Sequence, residues 1–446
     1  FLILMKPLFK LLIVFHLLIF VETKIFAEEN NIVTFSNINN ISSFIDESDY
    51  VDIIRESLFM QPEFAYAQSI SAEKEFNLKY ARRSRFGSIT GNILNDESFE
   101  RNITDKNSVR KRRDDTFDAI VELSQPIYSG GSISSKINMA RAQSNSSSNE
   151  KSKTISQLIL DANQIYITTA LLNYLVEYSK DLLETVKPYR LRVKDRVDAG
   201  IMDSAEAAIF YVRYNQLETK VTKFISSSEK AKSRYSFFFK KDPGKLLFPK
   251  VNISKNMLSI KNSSYDVEKA KFDYEERKEN IKSVRSNYLP QFGIRARYTK
   301  YDIDDDSNED DIRGGLYFSL PLFSFGRGFA EINSAKATAE GSKNALDVAI
   351  KDDGVSESAI LSDLNNSLQN RNIFIRSYEE TVNQRKVLSD KLETDAAYIS
   401  FLVEVKINEI TQLEILLDNE YIVLQGYLSA LHQNKQLNNI FRLDLN

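Results

Sequence analysis

The sequence predicts a mainly α-helical protein with a membrane β-barrel portion, arranged as two internal repeats of helix, strand, strand, long helix and long helix. Three observations support this fold class. Apolar and small residues, with Arg190 the one charged exception, alternate at spacings of four and three from Leu158 to Val197, the heptad pattern of a long helix that packs against other helices. Two pairs of short runs alternate apolar and polar residues, as strands with one apolar face do. Pro126 and Pro321, which end similar strands, lie 195 residues apart and indicate a duplication.

The N-terminal segment is interpreted as an export signal. Two lysines precede an apolar run from Leu11 to Val21, and a cleavage site is expected near Ala27. The signal therefore covers residues 1–27, and residues 28–49, which are rich in Asn and Ser, are expected to form a flexible leader. The apolar run is too short to cross a membrane as a helix.

The first repeat is predicted to span residues 50–236. Its tip is expected near Gly200, because glycine readily adopts the left-handed conformation that ends a helix, and Asp203 or Ser204 can cap the next helix. The predicted elements of this repeat are a helix from Tyr50 to about Arg83 with Pro62 in it or at a break, strands at about 86–95 and 116–128, a long helix from Ile133, and a returning helix to about Tyr235.

A linker is expected at residues 237–262, followed by the second repeat at 263–446. The strands of this repeat are predicted at about 290–301 and 312–323. Its tip is placed near Asn408, which aligns with the glycine of the first tip, since asparagine is the next best residue for a left-handed cap. A turn nearer Ser400 is the open alternative.

Two charged loops join the strand pairs. The first contains the basic run Arg110 to Arg113, which is interpreted as a solvated loop tip in preference to a phosphate-binding patch. The second contains Asp302, Asp304 and Asp306, which imitate the start of a calcium-binding loop. The glycine and the final glutamate that such a loop needs are absent, so an exposed loop is expected and no metal site.

The composition excludes several kinds of catalytic and metal site. The chain of 446 residues has no cysteine and only two histidines, His16 and His432. Neither a thiol nucleophile nor a site built on several histidines is available, so no enzyme activity, catalytic residue or cofactor is predicted. The net charge of −3 gives no reason to expect a nucleic-acid partner.

Four strands with one apolar face each cannot close a lipid-exposed barrel alone, so the chain is expected to oligomerise. The opposite faces carry charges that suit a wet barrel lumen, and the lumen candidates are Asp118, Glu122, Arg295 and Arg297. The alternative is a soluble sheet that is half-buried against helices.

Several short motifs resemble those of the TolC-like outer membrane efflux proteins. They are Gln125-Pro126-Ile127-Tyr128-Ser129-Gly130-Gly131, Leu320-Pro321-Leu322-Phe323-Ser324-Phe325-Gly326, Gln61-Pro62-Glu63 and Tyr288-Leu289-Pro290-Gln291. The first two are the stronger, because the same type of strand-to-helix motif occurs at matching positions of the two repeats. The resemblance covers about residues 50 to 440.

The resemblance implies a homotrimer in the outer membrane of a Gram-negative bacterium. Three copies would form a helical barrel in the periplasm that continues into a twelve-stranded β-barrel in outer membrane lipid, with the linker in an equatorial collar. It also implies a passive channel-tunnel of a tripartite efflux or type I secretion system, with a periplasmic adaptor and an inner membrane transporter as partners. The sequence leaves open whether the cargo is a small molecule or a protein.

Charged residues crowd both predicted tips, and ion pairs between them are a hypothesis for how the periplasmic end is held closed. The alternative is ordinary solvated helix ends, whose exposed pairs contribute about 0–1 kcal/mol each. The gate candidates are Arg192, Asp195, Arg196, Asp198, Gly200, Asp203 and Glu206 at the first tip, and Glu404, Lys406, Asn408, Glu409, Glu414 and Asp418 at the second.

Two other classes of protein remain as alternatives. An exported coiled-coil structural protein would explain the heptad spacing but not the paired amphipathic strands. A periplasmic adaptor would have long helical hairpins, but only one per chain and no duplicated strand pair.

Overall fold

A computed structural model describes residues 31–36, 44–97, 99, 115–254, 262–304, 309–392 and 398–443. The predicted export signal at 1–27, the basic run Arg110–Arg113 and part of the acidic loop lie outside the described residues. The helices are α1 Glu47–Leu58, α2 Pro62–Arg83, α3 Ser132–Asp198, α4 Ser204–Phe239, α5 Tyr265–Ser286, α6 Arg327–Leu392, α7 Ile399–Gln433 and α8 Leu437–Ile440. The strands are β1 Asn31–Val33, β2 Phe44–Ile45, β3 Ser88–Glu97, β4 Asp115–Tyr128, β5 Phe248–Pro249, β6 Asn252–Ser254, β7 Gln291–Lys300 and β8 Asp310–Ser319.

The chain divides into two compact units, each assembled from separate stretches of sequence. Of the described residues, the sheet unit contains those within 67–151 and 266–351, and the helical unit contains those up to Tyr66, those within Ser152–Tyr265 and those from Asp352 onward. The order of helices and strands is that of the predicted two repeats, mainly helical with a pair of strands in each.

The sheet unit holds a four-stranded antiparallel sheet in the order β3-β4-β7-β8. Thr90, Glu122, Arg297 and Arg313 stand opposite one another in a single row across all four strands. The register shifts once, between Pro126 and Tyr128, at the end of β4. Among the described residues β3 and β8 each have a strand on one side only, so both edges of the sheet are open.

The two faces of this sheet differ in polarity, because successive side chains of a strand point to opposite faces. One face carries the charged row. The other is apolar and largely exposed in the single chain, with Ile89, Ile93, Val121, Ile294, Ile312, Leu316 and Phe318 each 42% exposed or more. A continuous exposed apolar face of this kind is typical of a surface that contacts lipid or another protein.

The core of the helical unit lies between α3, α4, α6 and α7. It is filled mainly by the apolar rows of α3, α4 and α7. Fully buried examples are Ile159, Phe210, Leu217, Val403 and Leu424. No helix in the described ranges has the length and apolarity needed to span a membrane.

The expectation of a flexible leader is wrong for the described part of residues 28–49. Thr34 and Phe35 are fully buried, β1 pairs with β6, and β2 pairs with β5. The aromatic ring of Phe35 stacks on that of Phe248 at 4.8 Å. The leader therefore packs on the linker. Its short strands pair with those of the linker, and Phe35 adds an apolar contact between the two segments.

Of the two possibilities left open for Pro62, inside the helix predicted from Tyr50 to about Arg83 or at a break in it, the structure has the break. α1 ends at Leu58, and Pro62 is the first residue of α2. Proline is favoured there because its missing N–H would have no helical partner at that position.

The alignment of the two repeats predicted the second helical reversal near Asn408, and this prediction is wrong. α6 ends at Leu392 and α7 begins at Ile399, so Asn408 is inside α7. The alternative near Ser400 is closer to the observed start of α7. The apolar spacing runs on through residues 399–413 without a break, and this continuity outweighs the capping preference of a single asparagine.

Candidate gate and lumen surfaces

The first reversal joins α3 to α4 through a left-handed glycine. Gly200 has a φ of 69°. Its N–H donates to the carbonyl of Val197 at 3.0 Å, and the N–H of Ile201 donates to the carbonyl of Arg196 at 2.9 Å. These two bonds form a Schellman motif, which satisfies the last carbonyls of α3. Asp203 is at the N-cap position of α4, but its side chain makes no capping hydrogen bond.

The predicted charges at this reversal are mostly in solvent. Arg192, Asp195, Asp198 and Asp203 are exposed, and Arg196 and Glu206 are half-buried. In the described part of the chain none of the six forms an ion pair. The Nε atom of Arg196 is buried and has no hydrogen-bond partner there. The structure of one chain therefore does not join these charges to those of α7.

The charges of α7 instead contact α4. Arg213 forms an ion pair with Glu404 at 2.7 Å, and Lys220 forms one with Glu414 at 2.9 Å. The amine of Lys220 also donates to the hydroxyl of Thr411 at 3.1 Å. These side chains are partly exposed, so each pair is worth about 1 kcal/mol or less. The two pairs tie α4 to α7 along one flank.

Glu409 is the centre of a buried polar cluster that joins three helices. Its side chain is fully buried and accepts hydrogen bonds from Arg385 of α6, at 2.6 Å, and from the hydroxyl of Tyr178 of α3. The hydroxyl of Tyr378 donates to that of Tyr178 at 3.2 Å. A buried carboxylate is tolerated only when paired and hydrogen-bonded, and Glu409 meets both conditions.

Lys406 lies in the same cluster. It is 4% exposed, and its amine donates to the hydroxyl of Thr185. Burial, and then the nearby positive charge of Arg385, lower the pKa of Lys406 to about 8, while Glu409 opposes the shift. The cluster thus contains two cations and one anion when Lys406 is protonated.

Two predicted gate residues on α7 remain, Asn408 and Asp418. Asn408 is exposed on the helix surface. Partial burial, and then the charge of Glu414, raise the pKa of Asp418 above its usual value. Neither residue joins the buried cluster.

A second buried ion pair, which the sequence interpretation missed, fastens the leader to α6 and α7. Arg371 is 7% exposed and Glu420 is 1% exposed. The guanidinium donates twice to the carboxylate and once to the carbonyl of Val33 at 2.8 Å. The same carboxylate accepts the N–H of Phe35 at 2.7 Å. We call these four residues the leader clasp.

A sequence signal for these buried charges exists. Charged residues stand within apolar rows that repeat every seven residues, where a helix buries its side chains. In α6 the row is Leu364, Arg371, Tyr378 and Arg385; in α7 the rows are Lys406, Leu413, Glu420 and Tyr427, and Leu402, Glu409, Leu416 and Val423. A charge at such a position needs a buried partner, which the pattern alone does not identify.

Three of the four lumen candidates contact one another on the charged face of the sheet. Glu122 pairs with Arg297 at 2.7 Å and with Arg295 at 3.3 Å. The guanidinium of Arg295 lies over the ring of Tyr317. Asp118 lies on the same face of β4, and its carboxylate accepts the N–H of Asp302 at 3.2 Å. All four polar side chains thus share one face, opposite the apolar one.

No group of three or more candidate metal ligands occurs among the described residues. His432, the histidine outside the predicted signal, contacts the hydroxyl of Ser156 at 2.7 Å and the ring of Tyr265. These are packing contacts between α3, α7 and the start of α5.

Comparison with known proteins gives one match to a family model, over part of the chain, and several structures of similar fold. Residues 259–352 match the sequence model of the family described as outer membrane efflux protein. No curated protein sequence matches the chain.

Three similar solved structures are outer membrane proteins. The CmeC outer membrane channel of Campylobacter jejuni has a TM-score of 0.72 at 12% identity, over 89% of this chain and 89% of that one. VceC of Vibrio cholerae has a TM-score of 0.65 at 12% identity, over 88% and 96%. The open state of the MtrE channel of Neisseria gonorrhoeae has a TM-score of 0.62 at 14% identity, over 91% and 96%. At these identities the likeness establishes the fold.

Proposed function

We propose that this chain, a TolC-like outer membrane efflux protein by its family match and its fold, is the outer membrane channel-tunnel of a tripartite efflux or type I secretion system. Two of the proteins that it resembles, CmeC and MtrE, are outer membrane channels. In this proposal the chain conducts cargo passively, an inner membrane transporter supplies the cargo, and a periplasmic adaptor opens the channel.

The observation that carries the proposal is the four-stranded sheet with two open edges and opposite faces of different polarity. A sheet in lipid needs every edge paired, and bacterial outer membrane barrels have an even number of antiparallel strands. Three copies, with β8 of each beside β3 of the next, supply twelve strands and keep every neighbour antiparallel. The apolar face then contacts lipid, and Glu122, Arg295 and Arg297 line the lumen.

Mutation of the sheet tests which face contacts lipid. Leu316→Arg puts a charge in the middle of β8 on the apolar face, at a cost of about 2–4 kcal/mol in the bilayer interior. Asn92→Arg is the matched control, since Asn92 is an exposed residue in the middle of β3 on the charged face. We expect insertion into lipid vesicles, measured by protease protection, to fall for Leu316→Arg only. Equal insertion of the two variants would contradict the lipid-facing assignment.

Native mass spectrometry in detergent and single-channel recording in planar bilayers test the assembly. A trimer that conducts ions supports the proposal. A monomer without conductance refutes it and favours the exported coiled-coil protein.

We further propose that the gate lies at the first reversal. Its charges have no ion-pair partners within the described part of one chain, so they are available to neighbouring copies or to an adaptor. Arg196→Glu combined with Asp203→Lys should raise the conductance of the resting channel. The control is Lys223→Glu, at an exposed site in the middle of α4. Unchanged conductance of the double variant would remove these residues from the gate.

A further inference from the structure

A cavity of about 440 Å³ lies in the helical unit between α3, α4 and the loop before β5. Its volume falls in the range of small-molecule sites. The left-handed Gly244, with a φ of 53°, helps to turn this loop toward the helices. None of the predicted gate or lumen residues lines the cavity.

The wall combines an apolar part with a basic part. Aromatic and aliphatic side chains form the apolar part, which includes Tyr174, Val176 and Phe248. Phe248 is buried, and the centroid of its ring lies 5.9 Å from that of Tyr174 in an edge-to-face contact. This contact holds the two rings of the apolar wall in place without a ligand. Apolar walls with a few placed polar groups are typical of sites for organic ligands.

The basic part consists of Lys180, Lys232 and Lys245. Lys232 pairs with Glu229 at 3.0 Å. Within the described ranges Lys180 and Lys245, which are both exposed to solvent, have no ion-pair partner, and Glu177, also exposed, is the one carboxylate in the lining. The hydroxyl of Tyr174 is buried and has no hydrogen-bond partner there. The cavity therefore offers unpaired cationic donors beside an apolar surface.

We propose that this cavity binds an amphipathic organic anion, with its carboxylate at Lys180 and Lys245 and its apolar body against Tyr174 and Phe248. Two ammonium groups can each donate a charge-assisted hydrogen bond to one carboxylate. The occupant is a small molecule because the cavity is concave and bounded on three sides by one chain. This inference does not depend on channel activity.

The probe is 1-naphthoate, titrated calorimetrically into the purified full-length protein in detergent. Its uncharged analogue 1-naphthamide tests the need for the charge, and inorganic phosphate tests the need for the apolar body. We expect 1-naphthoate to bind more tightly than either, and its affinity to fall as salt is raised. Equal binding of 1-naphthamide, or tighter binding of phosphate, would overturn the proposal.

Lysine variants locate the site. Lys180→Gln and Lys245→Gln should each weaken 1-naphthoate binding about tenfold, since each removes one charge-assisted hydrogen bond. Lys223→Gln, which removes an exposed lysine of α4 outside the cavity, should leave the affinity within about twofold of the original. Circular dichroism checks that the variants fold. Equal losses in all three variants, or none in the first two, would refute the site. Conductance is recorded separately, so a failure of binding is distinguishable from a failure of the proposed channel function.

Discussion

Neutralising one partner of the leader clasp should release the leader from the helical unit. In Glu420→Gln the side chain keeps its size, but the guanidinium of Arg371 loses its counter-ion at a site where the two side chains are 9% and 1% exposed. Breaking a buried ion pair by removing one partner costs about 3–5 kcal/mol, because the other charge stays buried. The amide oxygen can still accept the N–H of Phe35, so the expected cost lies at the lower end, about 3 kcal/mol.

Hydrogen exchange of the peptide that contains Phe35 measures this release directly. The amide of Phe35 donates to Glu420 in the folded protein, and it exchanges only when the clasp opens. A loss of about 3 kcal/mol corresponds to roughly a hundredfold faster exchange. Glu184→Gln is the control, because Glu184 and Lys187 form an exposed pair whose loss costs about 1 kcal/mol or less.

The double variant Arg371→Met with Glu420→Gln provides the decisive comparison. Both charges are gone, and the glutamine still offers an acceptor to Phe35. If an unpaired buried charge is what destabilises Glu420→Gln, the double variant should protect the leader better than the single variant does. Exchange as fast as in the single variant, or faster, would refute the reasoning.

Two further predictions concern the helices. The pKa of Lys406 falls from 10.5 to about 8 on folding, so between these two values the unfolded chain holds the extra proton and the free energy of unfolding rises with pH. Between pH 7.5 and pH 10.5 this rise amounts to about 3 kcal/mol, and denaturant titrations at the two pH values measure it. Lys406→Met should abolish the rise, and an unchanged dependence on pH would contradict the assignment to Lys406. Gly200→Ala should lower the thermal midpoint, because a side chain at a φ of 69° costs about 1 kcal/mol or more. Gly354→Ala, in an open stretch of α6, should raise it, and a fall in both variants would be unexpected.

Strands leave local patterns in the sequence. Alternation of apolar and polar residues is a property of each strand itself, so the predicted strand at about 116–128 differs by one residue from the observed β4. The glycine that ends α3 is equally local, because only its own backbone angle decides its role. The shared face of Glu122, Arg295 and Arg297 then follows from the period of two within each strand and the pairing of β4 with β7.

Contacts between distant segments were not predictable in this way. The composition of the leader indicates low order, yet Phe35 is buried because its partners, Phe248 and Glu420, lie far along the chain. The second reversal was misplaced for a related reason. The apolar spacing on either side of it is the same, so no local feature separates the end of α6 from the start of α7.

The buried charges of α6 and α7 explain why an apolar spacing without marked ends still gives one alignment of the two helices. Leucine rows alone would pack almost equally well after a slip of seven residues. Such a slip would move Arg371 from Glu420 to the level of Leu413 or Tyr427, and would leave both charges buried without partners. Arg385 and Glu409 impose the same condition at a second level of the pair. Since each broken pair costs about 3–5 kcal/mol, a slip that breaks both would cost about 6–10 kcal/mol, which is comparable with the whole free energy of unfolding of a typical domain, about 5–15 kcal/mol.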